Sequence, residues 1–154
     1  MPMGKPLDGK EPEGVRMTWP LTVRWAECDA AGIIFHGRVF EWFSEARVAW
    51  LARNGVSYYR DVVPEGVELL VTEATAQFRR PLKAGDGVAV EVWVSRLSPA
   101  RMHFAYRAWH GRETAVAGET HHAFVMDGRA GNLKKAHPRL YEVLRGGTGL
   151  PTEI

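Results

Sequence analysis

An aspartate and a histidine stand seven residues apart in the segment Trp25-Ala26-Glu27-Cys28-Asp29-Ala30-Ala31-Gly32-Ile33-Ile34-Phe35-His36-Gly37, immediately before a stretch of helical spacing. These residue types at this spacing are equipped for hydrolysis. A carboxylate is ionised at neutral pH, so Asp29 can attack an electrophilic carbon or take a proton from water. The imidazole of His36 titrates near neutrality and can orient a ligand, hold water or pass a proton to a leaving group. The start of a helix leaves backbone N–H groups unpaired, and the N–H of His36 or Gly37 is placed to meet charge developing on a carbonyl oxygen; one such donor is worth about 10²- to 10³-fold in rate. Gly32 permits a turn or a close backbone approach, while Ile33, Ile34 and Phe35 serve either as core or as the wall of an apolar channel. The plainer reading of Asp29 is an Asx turn, and that of His36 a surface residue at a helix end.

The elements that must position these groups are legible as patterns. Leu21, Val23 and Trp25 alternate with Thr22 and Arg24, which predicts a half-buried strand over 21–25. From Arg38 to Arg53 the apolar positions Val39, Phe43, Ala46 and Trp50 recur at helical spacing, with Glu41 and Glu45 early in the helix and Asn54-Gly55 after it. The middle of the chain reads as extended segments: Leu69 to Phe78, the alternation Val88, Val90, Val92 and Val94, then Met102 to Ala108, then Ala115 to Met126. Turn residues separate them at Lys83-Ala84-Gly85-Asp86-Gly87, Ser98-Pro99-Ala100 and His110-Gly111-Arg112. A short helix is expected from Pro138 to Leu144, and the glycine-rich end after it is expected to fray. One long helix followed by consecutive antiparallel strands predicts an α+β fold in which a curved antiparallel sheet wraps around the helix, with a partner subunit covering an open sheet edge.

Composition bounds the rest. The chain has 154 residues, 45% of them apolar and 25% charged, which fits one soluble globular domain. Its expected divisions are a flexible arm over 1–16, a single domain over 17–145 and a flexible tail over 146–154. The lone Cys28 cannot form an internal disulfide, and no run of about 18 apolar residues is present, so a cytoplasmic setting without a membrane span is expected. A net charge of +2 is too small to mark nucleic acid as a partner.

The run Val23 to His36, continuing through Phe40-Glu41-Trp42-Phe43-Ser44-Glu45-Ala46-Arg47, resembles the motif of hotdog-fold acyl-CoA thioesterases of the 4-hydroxybenzoyl-CoA thioesterase family. The likeness is nearest to the branch associated with Tol-Pal genes, whose pattern is an acid, two small residues, a glycine, three apolar residues and a histidine. Phe78-Arg79-Arg80-Pro81-Leu82-Lys83-Ala84-Gly85-Asp86 and Ala123-Phe124-Val125-Met126-Asp127 resemble a strand-end turn and the last core strand of the same family. The resemblance implies a hotdog fold, Asp29 as nucleophile or general base with His36 beside it, and the helix start as oxyanion donor. It also implies a homodimer or homotetramer with sites at subunit interfaces, and no cofactor beyond the coenzyme A of the substrate.

On that footing Arg79, Arg80 and Lys83 are candidates to meet the coenzyme A phosphates, against the commoner reading of solvated charges at a strand end. Glu73 is the weaker candidate acid, since Asp29 already satisfies the motif. His103, His110, His121, His122 and His137 show no metal-ligand spacing, and His121 and His122 must face opposite sides of one strand, so no metal is expected. Trp25, Phe35, Trp42, Phe43 and Tyr58 permit an aromatic acyl group and equally fit a packed core around a short aliphatic one. Two other readings stay open: a hydratase or dehydratase of acyl thioesters, and a non-catalytic acyl-CoA-binding protein.

Overall fold

The valine alternation forms an interior strand of one antiparallel sheet, with Val88, Val90, Val92 and Val94 all at most 4% exposed and the intervening positions turned to the other face. The protein is described here from a computed structural model over residues 15–151. Most of the expected arm, and positions 152–154 of the expected tail, lie outside the described residues. The strands are β1 (Met17–Thr22), β2 (Val67–Phe78), β3 (Gly87–Leu97), β4 (Arg101–His110), β5 (Glu113–Met126) and β6 (Arg129–Ala130). They lie in the order β1-β3-β4-β5-β2, with β6 paired to β5. The helices are α1 (Arg38–Arg53), α2 (Leu133–Ala136) and α3 (Pro138–Thr148).

The expected long helix is α1, and its buried stripe of Val39, Trp42, Phe43, Ala46, Trp50 and Leu51 forms the centre of the core against the sheet. Phe43 stacks on Tyr106 of β4 at 4.2 Å between ring centroids and 7° between planes. Gly118 of β5 makes room for this helix: a Cβ there would sit 2.6 Å from the Phe43 ring and 2.5 Å from the Thr75 carbonyl oxygen. Trp42 and Trp50 are both buried, so the tryptophans of α1 fill the core.

Two boundaries differ from the sequence expectation. The first strand spans Met17–Thr22 instead of 21–25, because its partner β3 begins at Gly87, opposite Thr22, and beyond it Val23 bonds only to the turn at Gly85 and Asp86. Trp25 therefore leaves the sheet, opens a 3₁₀ turn over Trp25–Glu27 and is 76% exposed. The C-terminal helix runs past Leu144 to Thr148, taking in Gly146 and Gly147. Packing overrides the low helix propensity of glycine: a Cβ at Gly147 would lie 2.4 Å from the Asn54 side-chain oxygen, so only glycine lets α3 approach the end of α1 this closely.

A polar chain crosses the core and ties α1 to three strands. The Leu69 carbonyl can only accept, so His122 carries its proton on Nδ1, at 3.3 Å from that oxygen, and Nε2 accepts from the Thr120 hydroxyl at 2.8 Å. Thr120 in turn accepts from the Tyr106 hydroxyl at 2.6 Å, and Tyr106 accepts from Arg47 at 3.2 Å. Burial, with the Arg47 charge next, lowers the His122 pKa to about 4. Between its ordinary value and about 4, the unfolded chain binds more protons at this residue than the folded one. The stability is thus complete above the unfolded pKa and is lost as pH falls through that window. The expected loss from His122 is roughly 3 kcal/mol between pH 7 and pH 4. Urea titrations at the two pH values should show a smaller acid-induced loss in His122→Gln than in the wild type; equal losses would show that His122 does not drive the acid sensitivity.

Candidate active site

The loop between the 3₁₀ turn and α1 is closed by its own backbone. Asp29 N–H donates to the Ile33 carbonyl and Gly32 N–H to the Asp29 carbonyl, both at 2.9 Å, and the Asp29 Oδ1 accepts from Ala31 N–H at 2.9 Å. The Asx turn anticipated as the plainer reading is therefore present, and it uses one carboxylate oxygen. Oδ2 has no protein partner among the described residues. Gly32 has φ +76°, a conformation that favours glycine, while a Cβ there would meet nothing within 4 Å. Its glycine is explained by the turn and not by a close backbone approach.

Ile34 then pairs with the Leu82 carbonyl at 2.8 Å and is buried, Ile33 bridges to Lys83, and Phe35 N–H donates to the Glu27 carbonyl at 2.8 Å. Gly37 caps α1 without a side-chain hydrogen bond, and Arg38 and Val39 N–H close back onto Phe35 and His36. The N–H groups of His36 and Gly37 remain without a protein acceptor among the described residues. A helix start with uncapped N–H groups, next to a carboxylate, is an arrangement that can hold an oxyanion beside a nucleophile or base.

The fold brings part of the expected set together around one open cleft of about 300 Å³, lined by Asp29, Ile33, Ile34, His36, Arg79 and Arg80 with Phe78 and Pro81 from the end of β2. The His36 ring rests against Phe35, at 4.5 Å between centroids, and meets Phe78 edge-on at 6.4 Å. Phe35, Gly32, Gly37 and Lys83 border the loop without lining the cleft. Arg80 is paired with Glu113 at 3.3 Å, both well exposed, whereas Arg79 holds only the Gln77 amide oxygen at 2.9 Å. Arg79 is thus the more available cation. Among the aromatic candidates Trp42 and Phe43 are core, and Tyr58 belongs to a separate turn over Tyr58–Val62.

Among the described residues no three His, Cys, Asp or Glu side chains converge as metal ligands. His121 and His122 do face opposite sides of β5, at 25% side-chain exposure and fully buried respectively. His121 stacks on His103 at 3.7 Å and lies between Glu73 at 3.0 Å and Glu119 at 3.2 Å, so Glu73 contacts a histidine outside the cleft.

Glu27 is the residue that pattern reading missed. It is only 4% exposed, and its carboxylate accepts from the Trp42 indole N–H at 2.7 Å and from the Arg24 backbone N–H at 2.9 Å. Burial, the largest single influence, would raise its pKa, but the hydrogen bonds from Trp42 and Arg24 together outweigh it and the net shift is downward. Its carbonyl also holds Phe35, so one residue fastens both ends of the loop to α1. An acid three residues after Arg24, at the spacing of a capping box, was the available signal.

Comparison with known proteins adds the family. A model described as the thioesterase-like superfamily matches residues 23–144. A 1,4-dihydroxy-2-naphthoyl-CoA hydrolase of Prochlorococcus marinus is 33% identical over 121 residues, covering 68% of this chain and 80% of that protein. The crystal structure of a DHNA-CoA thioesterase from Staphylococcus aureus superposes with a TM-score of 0.80 at 25% identity, covering 85% of this chain and 89% of that one. A hypothetical protein from Thermus thermophilus gives a TM-score of 0.81 at 28% identity, covering 86% and 98%. The curled antiparallel sheet around α1 is a hotdog fold, and the chain belongs to the thioesterase-like superfamily.

Proposed function

We propose that this protein hydrolyses a coenzyme A thioester to a carboxylic acid and free coenzyme A. The observation that carries the reading is that Asp29 and His36 line one cleft at the start of α1, where the backbone N–H groups of His36 and of the bordering Gly37 have no acceptor among the described residues. Water, activated by Asp29 as general base, adds to the thioester carbonyl carbon, or Asp29 adds first and water then cleaves the anhydride. The helix start stabilises the oxyanion, the carbon–sulfur bond breaks, and the departing thiolate takes its proton from His36 or from the acid that received it. Ile33 and Ile34 face the acyl group, and Arg79, with Arg80 and Lys83 behind it, meets the phosphates. No resident cofactor, metal or nucleic acid enters this reading.

The cleft is shallow, which favours a short or flat aromatic acyl group over a long chain. The relatives named as dihydroxynaphthoyl-CoA hydrolases support the aromatic choice. The Asp29-to-His36 motif supports the finer placement in the 4-hydroxybenzoyl-CoA thioesterase family and its Tol-Pal-associated branch. A homodimer or homotetramer is supported by β2, an edge strand that exposes Leu70 at 50% and Val71 at 45%. No helix among the described residues is long and apolar enough to cross a membrane, and the unpaired Cys28 supports a cytoplasmic setting.

The test is free thiol release from aromatic, short aliphatic and long aliphatic acyl-CoA thioesters, followed with a disulfide reagent. Release from the aromatic or short thioesters, and at least about 10-fold less from the long ones by kcat/KM, is the expected result. Binding of acyl-CoA with no thiol released would replace hydrolysis by a binding function, and hydration of an unsaturated acyl-CoA without thiol release would make the protein a hydratase.

A further inference from the structure

A second pocket, of about 300 Å³, lies between the C-terminal helix and the far end of β3, where Arg96, Lys134 and Arg145 converge with no acid among the described residues that line it. Arg16, Arg24, Arg38 and Arg80 each have a carboxylate partner. Arg96, Lys134 and Arg145 have none among the described residues. Three like charges around one pocket repel one another, and an anion placed between them turns that repulsion into attraction. Two of the three are guanidinium groups, whose planar fork matches phosphate oxygens.

Two further features make this a built site. Tyr141 lines the pocket while only 4% exposed, and its hydroxyl has no hydrogen-bond partner among the described residues. A bulge at Ser95 shifts the β3 register so that Arg96 stands opposite His103, which breaks the alternation that buries Val90, Val92 and Val94 and brings a charged side chain to the pocket. Leu97 and Pro99 give the pocket an apolar side.

The pocket is separate from the Asp29 cleft. Asp86 and Gly87 lie beside the cleft's loop at the start of β3, and the nine steps from Gly87 to Arg96 span roughly 30 Å of strand. We propose that this pocket binds a phosphomonoester dianion carried on a small, partly apolar body, the chemistry of a nucleoside monophosphate. The dianion sits among the three cations and the Tyr141 hydroxyl, and the ring rests on Leu97 and Pro99.

Calorimetric titration with AMP in phosphate-free buffer at low salt tests this, using the full chain. One AMP per chain is expected in the wild type and in Asp29→Asn. Arg96→Ala and Arg145→Ala should each weaken binding at least about 10-fold, and Tyr141→Phe, which keeps the buried ring, roughly 5-fold. Thioester hydrolysis by these three variants should match the wild type. Absence of AMP binding in the wild type, or binding that survives the loss of both arginines, overturns the proposal. Coenzyme A, which carries the same phosphoadenosine chemistry, is titrated in parallel. A raised KM for acyl-CoA in the arginine variants, with lost coenzyme A binding, would assign these cations to the substrate and overturn the separate site.

Discussion

Asp29→Asn should lower thioester hydrolysis by at least about 100-fold while acyl-CoA binding stays within a few-fold of the wild type. The substitution separates the two roles this residue has in the structure. Asparagine keeps a side-chain oxygen at the position of Oδ1, so the hydrogen bond from Ala31 N–H and the turn survive. What it removes is the negative charge and the basic or nucleophilic oxygen. Asp29→Ala removes the turn bond as well, and its additional effect should appear as lost stability of about 1 kcal/mol. Equal hydrolysis by wild type and Asp29→Asn would leave Asp29 with the turn alone, and the assignment of the site would be wrong.

Glu27→Ala costs about 3 kcal/mol or more in folding free energy, because it leaves the buried Trp42 indole N–H and the Arg24 N–H without their acceptor. The loss reaches the site as well, since the same residue anchors the loop at Phe35 and the helix at Trp42. Hydrolysis at a temperature where the variant remains folded should fall at least about 10-fold, mainly in kcat, because the proposed oxyanion donors and Asp29 would no longer keep their relative positions. Urea unfolding measures the first effect and steady-state kinetics the second. Trp42→Phe removes the indole donor together with part of the buried ring, a packing loss that a double-mutant cycle with Glu27→Ala cancels; the cycle should give a coupling of about 1–3 kcal/mol, and additivity would mean that the pair does not tie loop to helix.

The lowered pKa of Glu27 adds an acid dependence of known sign. Its carboxylate is favoured in the folded state, so its stabilisation is complete above the ordinary carboxylate pKa and is lost as pH falls through the lower folded value. His122 loses its share at higher pH, between its ordinary value and about 4. Acid unfolding should therefore proceed in that order, histidine first and Glu27 later.

What sequence alone could determine follows from local, periodic physics. The spacing of Val39, Phe43, Ala46 and Trp50 is a helix in any context that buries one face, and the alternation of Val88 through Val94 is a strand. The Asp29-to-His36 motif was readable because its residues are neighbours along the chain. Features set by distant partners were not readable. The end of β1 depends on where β3 begins, 65 residues after Thr22, and the extension of α3 depends on Asn54 accepting a glycine at close range. Glu27 looked like one acid among many until Trp42 closed over it, and the convergence of Arg96, Lys134 and Arg145 joins β3, α2 and α3. The sequence by itself determined the helix, the extended segments and the Asp29-to-His36 motif, since each is a pattern among near neighbours along the chain. Only the tertiary structure decided which side chains are buried, which charges are paired and which groups share a cleft, because those energies depend on distances across the fold that no local pattern encodes.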